Sequence, residues 1–97
     1  MSRLTSLSRS IERKVALITG AASGMGRATA HLFSDEGATV IVSDLEQNAV
    51  DKVVDEIKAN NGDAIGMKLD VSSDEDRKRV AKSIVQEFGC LDILINN

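Results

Sequence analysis

The chain has 97 residues, 42% hydrophobic and 28% charged, which allows one small domain with a packed core and excludes a second domain. Twelve basic and fifteen acidic residues give a net charge of -3 with the signs interspersed, so we expect no nucleic-acid partner. Cys90 is the only cysteine and has no neighbouring His, which excludes an internal disulfide and predicts no metal site. Since every apolar run is far shorter than a membrane span, we expect a cytoplasmic protein with no membrane segment.

The first thirteen residues differ in composition from the rest. They are rich in serine and carry Arg3, Arg9 and Arg13 against one acid, Glu12. We interpret residues 1–13 as a flexible N-terminal tail, with a targeting segment as the open alternative. The folded domain is expected to span residues 14–97.

Beyond the tail, short β-branched runs alternate with amphipathic segments, which is typical of βαβ units in a parallel sheet. Four strands are predicted at residues 15–19, 39–43, 64–69 and 91–95. Their nearly continuous apolar character predicts helices on both faces of a Rossmann-type sheet. Right-handed crossovers then give the strand order 3-2-1-4, with a crevice at the carboxyl ends of strands one and four.

Three helices connect these strands. The first is predicted to bury a stripe and to end at Gly37; the stripe consists of Met25, Ala28, Leu32 and Phe33. The second repeats apolar residues at helical spacing, namely Val50, Val53, Val54 and Ile57. The third is predicted to begin at a capping box of Ser72 and Glu75, with Asp74 and Asp76 in its first turn, and to stop at Gly89. Its predicted buried face comprises Val80, Ala81, Ile84 and Phe88.

The turn between the first strand and the first helix carries three glycines. Gly20 permits a tight turn, Gly24 lets a diphosphate approach the backbone, and Gly26 lets the helix pack closely. The free N–H groups of Gly24 and Met25 would face the phosphates, assisted by the helix dipole. The alternative is that the glycines only form a turn; the flanking strand and helix favour a nucleotide site.

Asp44 ends the second strand, eighteen residues after Gly26. An acid at this place can accept hydrogen bonds from both hydroxyls of an adenosine ribose, and its charge would repel a 2′-phosphate. Neither Ser23 in the glycine turn nor Leu45 after the acid supplies a cation, so NAD is favoured over NADP. A helix-capping role for Asp44 is the alternative.

Two further pairs end the remaining strands. Asp70 and Val71 follow the third strand, where the carboxylate and backbone could reach an adenine edge while Val71 packs against the ring. A turn role is the alternative for Asp70. Asn96 and Asn97 end the fourth strand, where they either tie strands together or contact the ribose.

The remaining residues with reactive or titratable side chains have no neighbours in sequence that would complete a catalytic or metal-binding motif. We interpret His31 and Cys90 as structural, and Arg27 as part of a solvated helix face.

From Lys14 to Asn97 the sequence resembles the short-chain dehydrogenases/reductases. Residues 19–26 fit the pattern T-G-x-x-x-G-x-G at every fixed position, and residues 91–97 resemble the run that leads into the N-N-A-G motif. In general appearance the chain is similar to reductases of the 3-oxoacyl-(acyl-carrier-protein) type. The resemblance implies cofactor contacts from the following residues: Gly20, Ser23, Gly24 and Met25 to the phosphates, Asp44 to the ribose, Asp70 and Val71 to the adenine, and Asn97 on the adenosine side.

The resemblance also implies an activity for a full-length parent. Such enzymes transfer hydride between a nicotinamide cofactor and an alcohol or carbonyl substrate, using a Ser, a Tyr and a Lys, and are often homo-oligomers. This chain has no Tyr and stops within N-N-A-G, so we expect an inactive N-terminal half with no catalytic residues. A non-catalytic nucleotide-binding module is the main alternative. A methyltransferase is disfavoured by Thr19 and by the three-residue gap between Gly20 and Gly24.

Overall fold

The computed structural model describes residues 11–97. Four strands and three helices alternate in this range, as the sequence predicted. They are β1 (Val15–Ile18), α1 (Gly24–Asp35), β2 (Thr39–Asp44), α2 (Gln47–Ala59), β3 (Asp63–Lys68), α3 (Asp74–Phe88) and β4 (Ile93–Ile95). Within residues 11–97, none of the helices combines the length and apolar character needed to cross a bilayer.

The strands form one parallel sheet in the order β3-β2-β1-β4, which confirms the predicted topology. Helices cover both faces. On one face α1 and α2 pack over a core that includes Ile18 and Val40, and on the other α3 packs over Leu17 and Ile41. The glycine turn after β1 and the residue that ends β2 therefore lie at the same edge of the sheet.

Strand β4 is shorter than predicted, beginning at Ile93 instead of residue 91. Asp92 explains the difference, because its carboxylate Oδ2 accepts the Val15 N–H at 2.9 Å while its own N–H donates to the Val15 carbonyl at 3.0 Å. A side-chain oxygen thus takes the place of a backbone carbonyl as the acceptor for the first N–H of β1.

The stripe predicted for α1 is largely wrong. Met25 is 77% exposed, Leu32 is 48% exposed and Ala28 is also exposed; the buried positions are Gly26 and Ala30, with Phe33 partly buried against the core. The helix lies so close to the sheet that only small side chains fit beneath its first two turns. In contrast, all four apolar residues predicted for α2 are buried.

The cap predicted for α3 is displaced by one residue. Ser73 is the N-cap, and its Oγ accepts the Asp76 N–H at 3.2 Å. Ser72 is bonded elsewhere, because both its N–H and its hydroxyl donate to the Asp70 carboxylate. The predicted stop at Gly89 is confirmed by its φ of 83°. Along the helix Val80 and Ile84 are buried, Phe88 is partly buried, and Ala81 is exposed, contrary to prediction.

Most of the segment predicted as a tail, residues 1–10, lies outside the described residues. Residues 11–13 form a turn beside the end of α1, where the Arg13 N–H donates to the Gly37 carbonyl at 3.0 Å.

The α3 cap can be tested by comparing two serines. Ser73→Ala should lower the free energy of unfolding by about 1 kcal/mol, because it leaves a helix N–H without its acceptor. Ser72→Ala should cost less, since it removes only an exposed hydroxyl bond to Asp70. Urea unfolding of both variants measures the difference, and a larger loss for Ser72→Ala would restore the original capping prediction.

Candidate nucleotide site

The glycine turn leads directly into the N-terminus of α1. Gly24 is the first helical residue and has a φ of 58°, a conformation that strongly favours glycine. A Cβ built there would meet no atom within 4 Å, so the space beside the backbone is open. Ser23 is the N-cap but makes no side-chain capping bond. Within residues 11–97, no side chain caps the first N–H groups of α1, so they can receive an anion.

Gly26 is required by packing within the chain. A Cβ built there would lie 2.2 Å from the Gly20 carbonyl oxygen and 2.7 Å from the Asn97 Nδ2. No larger residue fits without moving backbone. The first turn of α1 is thus seated directly on the glycine turn and on the residue that follows β4 by two positions, which fixes where the helix N-terminus points.

Polar side chains inside the sheet hold this turn in place, and sequence reasoning missed their role. Thr19 Oγ1 donates to the Ile95 carbonyl at 3.3 Å and accepts the Asn97 N–H at 3.1 Å. Ser43, which is fully buried, donates to the Ile18 carbonyl at 2.9 Å. Their role could have been predicted from the sequence, because each is a hydroxyl residue near the end of an apolar strand and a buried hydroxyl needs a hydrogen-bond partner.

Asn97 joins the end of β4 to the end of β1, which is one of the two roles predicted for it. Its Nδ2 donates to the Gly20 carbonyl at 3.2 Å, and its backbone N–H donates to Thr19. Asn96 lies apart, lining an apolar cavity of about 440 Å³ together with Val71 and Leu94.

Asp44 is joined to the glycine turn. Its Oδ2 accepts the Ala22 N–H at 3.0 Å, and its Oδ1 accepts the Leu45 N–H at 2.8 Å. The capping alternative is wrong, because the N-cap of α2 is Glu46. Each carboxylate oxygen accepts one backbone bond and keeps a further lone pair, so the oriented carboxylate can still accept a sugar hydroxyl.

Asp70 stabilises the turn after β3, which was the alternative to its predicted contact with adenine. Its Oδ1 accepts both donors of Ser72, the N–H at 2.9 Å and the hydroxyl at 2.6 Å, and these bonds hold the pKa of Asp70 below its ordinary value. Val71 is about half exposed beside it. Asp70 and Leu45 both line a second, polar cavity of about 490 Å³, so the residues that follow β2 and β3 share one depression.

Arg27 is more than part of a solvated helix face, and His31, which was interpreted as structural, joins the same hydrogen-bonded cluster. Arg27 Nη2 and Nε donate to the two oxygens of Glu56 at 2.6 and 2.8 Å, and His31 Nε2 lies 3.0 Å from Glu56 Oε1. These hydrogen bonds lower the pKa of Glu56 from 4.5 to about 2, and the bond from Arg27 has the largest effect. The cluster forms a clamp between α1 and α2.

The site therefore consists of an uncapped helix N-terminus, a carboxylate fixed beside it and an adjacent polar depression, all at the carboxyl edge of a parallel sheet. A family model described as short chain dehydrogenase matches residues 14–97. The chain belongs to this family. The membership removes the methyltransferase alternative and confirms the resemblance seen in the sequence.

Characterised relatives agree with this assignment. The chain is 44% identical over 87 residues to a 3-oxoacyl-(acyl-carrier-protein) reductase of Thermotoga maritima, covering 90% of this chain and 35% of the relative. It is 44% identical over 91 residues to a cyclohexanol dehydrogenase of an Acinetobacter species, covering 94% and 36%. The chain thus spans about a third of the length of these relatives.

Solved structures give the same picture. A hydroxysteroid dehydrogenase from Escherichia coli superposes with a TM-score of 0.87 at 38% identity, covering 90% of this chain and 37% of that one. A 7α-hydroxysteroid dehydrogenase complexed with NADH and 7-oxo glycochenodeoxycholic acid superposes with a TM-score of 0.86 at 38% identity, covering 90% and 34%.

The close approach at Gly26 predicts a large steric cost. Gly26→Ala should lower the free energy of unfolding by about 3 kcal/mol, because its Cβ would overlap backbone atoms. The matched variant Gly24→Ala meets open space and should cost only about 1 to 2 kcal/mol, the strain of its positive φ. Chemical denaturation compares the two; equal losses would contradict the packing role of Gly26.

The clamp between α1 and α2 predicts a pH effect. Because folding lowers the pKa of Glu56, its contribution is fully present above pH 4.5 and is lost as the pH falls from 4.5 towards 2. Glu56→Gln should therefore reduce the urea midpoint at pH 7 while changing it little at pH 2. Glu87→Gln, at an exposed residue without an ion pair in residues 11–97, is the control. The same loss at both pH values would contradict an ionic clamp.

Proposed function

We propose that this chain forms the adenosine and diphosphate half of an NAD site in a short-chain dehydrogenase. The observation that carries the proposal is the pairing of the uncapped N-terminus of α1 with Asp44, whose carboxylate is fixed to the glycine turn through Ala22. The N-terminus of α1 carries partial positive charge, which suits a diphosphate. The Asp44 carboxylate can accept hydrogen bonds from a pair of ribose hydroxyls.

Each part of the cofactor has a proposed partner in the chain. The backbone from Gly20 to Gly26, with Ser23 and Met25, would hold the diphosphate. Asp44 and Leu45 would hold the ribose, while Asp70, Val71 and Asn97 would border the adenosine side. Asp70 Oδ2 has no hydrogen bond within residues 11–97, which leaves an acceptor for the exocyclic amine of adenine. The bound cofactor would supply hydride transfer at its nicotinamide.

NAD is preferred over NADP in this proposal. A 2′-phosphate on the adenosine ribose would be brought against the Asp44 carboxylate, and its neighbours Ser23 and Leu45 provide no positive charge to offset the repulsion. The preference therefore depends on charge at the ribose, whereas the grip on the diphosphate depends on backbone N–H groups.

For the whole enzyme we propose oxidation of a small alcohol or reduction of the matching carbonyl in the cytoplasm, within a homo-oligomer. The support is family membership together with relatives named as an alcohol dehydrogenase, a steroid dehydrogenase and an oxoacyl reductase. The 97 residues contain no tyrosine, so the proton-transferring residue of the family is not among them. A non-catalytic nucleotide-binding module is the second candidate, and the absence of tyrosine favours it for this chain alone.

The NAD assignment is tested by titrating the 97-residue chain with NAD and NADP in a calorimeter. Wild type should bind NAD more tightly than NADP, and Asp44→Ala should weaken NAD about 10- to 100-fold by removing charge-assisted bonds to the ribose. Asp35→Ala, at the opposite end of α1, should leave both affinities unchanged. Equal affinities for the two cofactors in wild type would overturn the role of Asp44.

A further inference from the structure

Lys68 lies opposite Asp44 in the sheet. The register between β2 and β3 pairs the Cα atoms of these two residues, and paired residues of neighbouring parallel strands project to the same face about 4.8 Å apart. Lys68 also lines the 490 Å³ cavity that contains Leu45 and Asp70. The register thus places a lysine of β3 next to the aspartate that ends β2.

Arg79, the other basic residue that lines this cavity, is already engaged. Arg79 donates to the Asp76 carboxylate and to the Lys68 carbonyl, and Asp76 also accepts the Asp70 N–H at 2.8 Å. Lys68 contributes only a weak part of the shift that lowers the pKa of Asp76, and within residues 11–97 its ammonium makes no ion pair. It is therefore the cation of the cavity that is available to a ligand.

We propose, building on the NAD site described above, that Lys68 sets how strongly the site rejects a 2′-phosphate. A phosphorylated ribose held beside Asp44 would meet the Asp44 carboxylate from one strand and the Lys68 ammonium from the next. The flexible four-carbon stem lets this ammonium follow the phosphate. Lys68 offsets part of the repulsion from Asp44, and it becomes the main determinant of NADP binding once Asp44 is removed.

Charge and distance predict which cofactor is affected. The diphosphate would be held by backbone N–H groups at the N-terminus of α1, which follows β1, whereas Lys68 lies on β3, on the far side of β2. The 2′-phosphate would instead be brought to Asp44, which pairs with Lys68 in the register of β2 and β3. Removing the ammonium should therefore change NADP affinity and leave NAD affinity nearly unchanged.

A double-mutant cycle on the full 97-residue chain tests this inference, with NAD and NADP as probes in calorimetry. Lys68→Met should weaken NADP about threefold in wild type, as expected for an exposed charge pair, and NAD less than about twofold. In an Asp44→Ala background, where the phosphate can approach the ammonium, the same substitution should weaken NADP about tenfold. Lys82→Met, an exposed lysine on α3, is the control for net charge and should have no effect on either cofactor.

The outcomes separate this inference from the NAD assignment. If NAD binds and responds to Asp44→Ala but Lys68→Met leaves NADP unchanged in both backgrounds, the role of Lys68 is overturned while the NAD site stands. Equal weakening of NAD and NADP by Lys68→Met also overturns it, because a general loss of binding is not 2′-phosphate recognition. If folded wild type, checked by circular dichroism, binds neither cofactor, both proposals fall.

Discussion

The structure depends on one close contact between backbones. The first turn of α1 rests on the Gly20 carbonyl and on the Asn97 amide, with no room for a side chain at Gly26. Three segments meet there: the end of β1, the start of α1 that follows it after a short turn, and Asn97, which is remote from both in sequence. Because interiors pack densely, this contact fixes the direction of the helix N-terminus as well as its position. The geometry proposed to bind the diphosphate is thus a consequence of packing within the chain.

Buried polar groups also fix the glycine turn relative to β2 and Asp44. Ser43 and Thr19 bond across the strands near their carboxyl ends, and the Ala21 N–H donates to the Ser43 carbonyl at 2.9 Å. One residue later the Ala22 N–H is bound by Asp44. The glycine turn is consequently attached to β2 by two consecutive backbone groups, so the Asp44 carboxylate and the N–H groups that begin α1, the proposed contacts to the sugar and the diphosphate, have a fixed separation. Such preorganisation lowers the ordering cost of binding an extended dinucleotide.

The sheet order and the location of the site could be predicted because continuous apolar runs, handedness and glycine spacing act over short stretches of sequence. The errors have equally local causes. Apolar periodicity favours large side chains, so Met25 and Leu32 were predicted as core while the buried Ala30 was overlooked. The close packing at Gly26 was predicted from the glycine spacing instead, and it is confirmed. Either of two adjacent serines could cap α3 by sequence. In the structure Ser73 accepts the Asp76 N–H, while the Ser72 hydroxyl donates to Asp70. The position of Lys68 beside Asp44 depends on strand register, which the sequence pattern does not specify.

The site divides recognition between two kinds of group. Contacts to a diphosphate would come from backbone N–H groups, which nearly every substitution preserves provided that the glycines remain. Discrimination at the ribose would come from side chains that end β2 and β3, which are partly exposed and can change without disturbing the core. Leu45, for example, is 57% exposed, and Lys68 lies on an edge strand. A fold built this way can change its preferred cofactor by altering one or two charges, because the energetically demanding part of the site lies in the packing around Gly26.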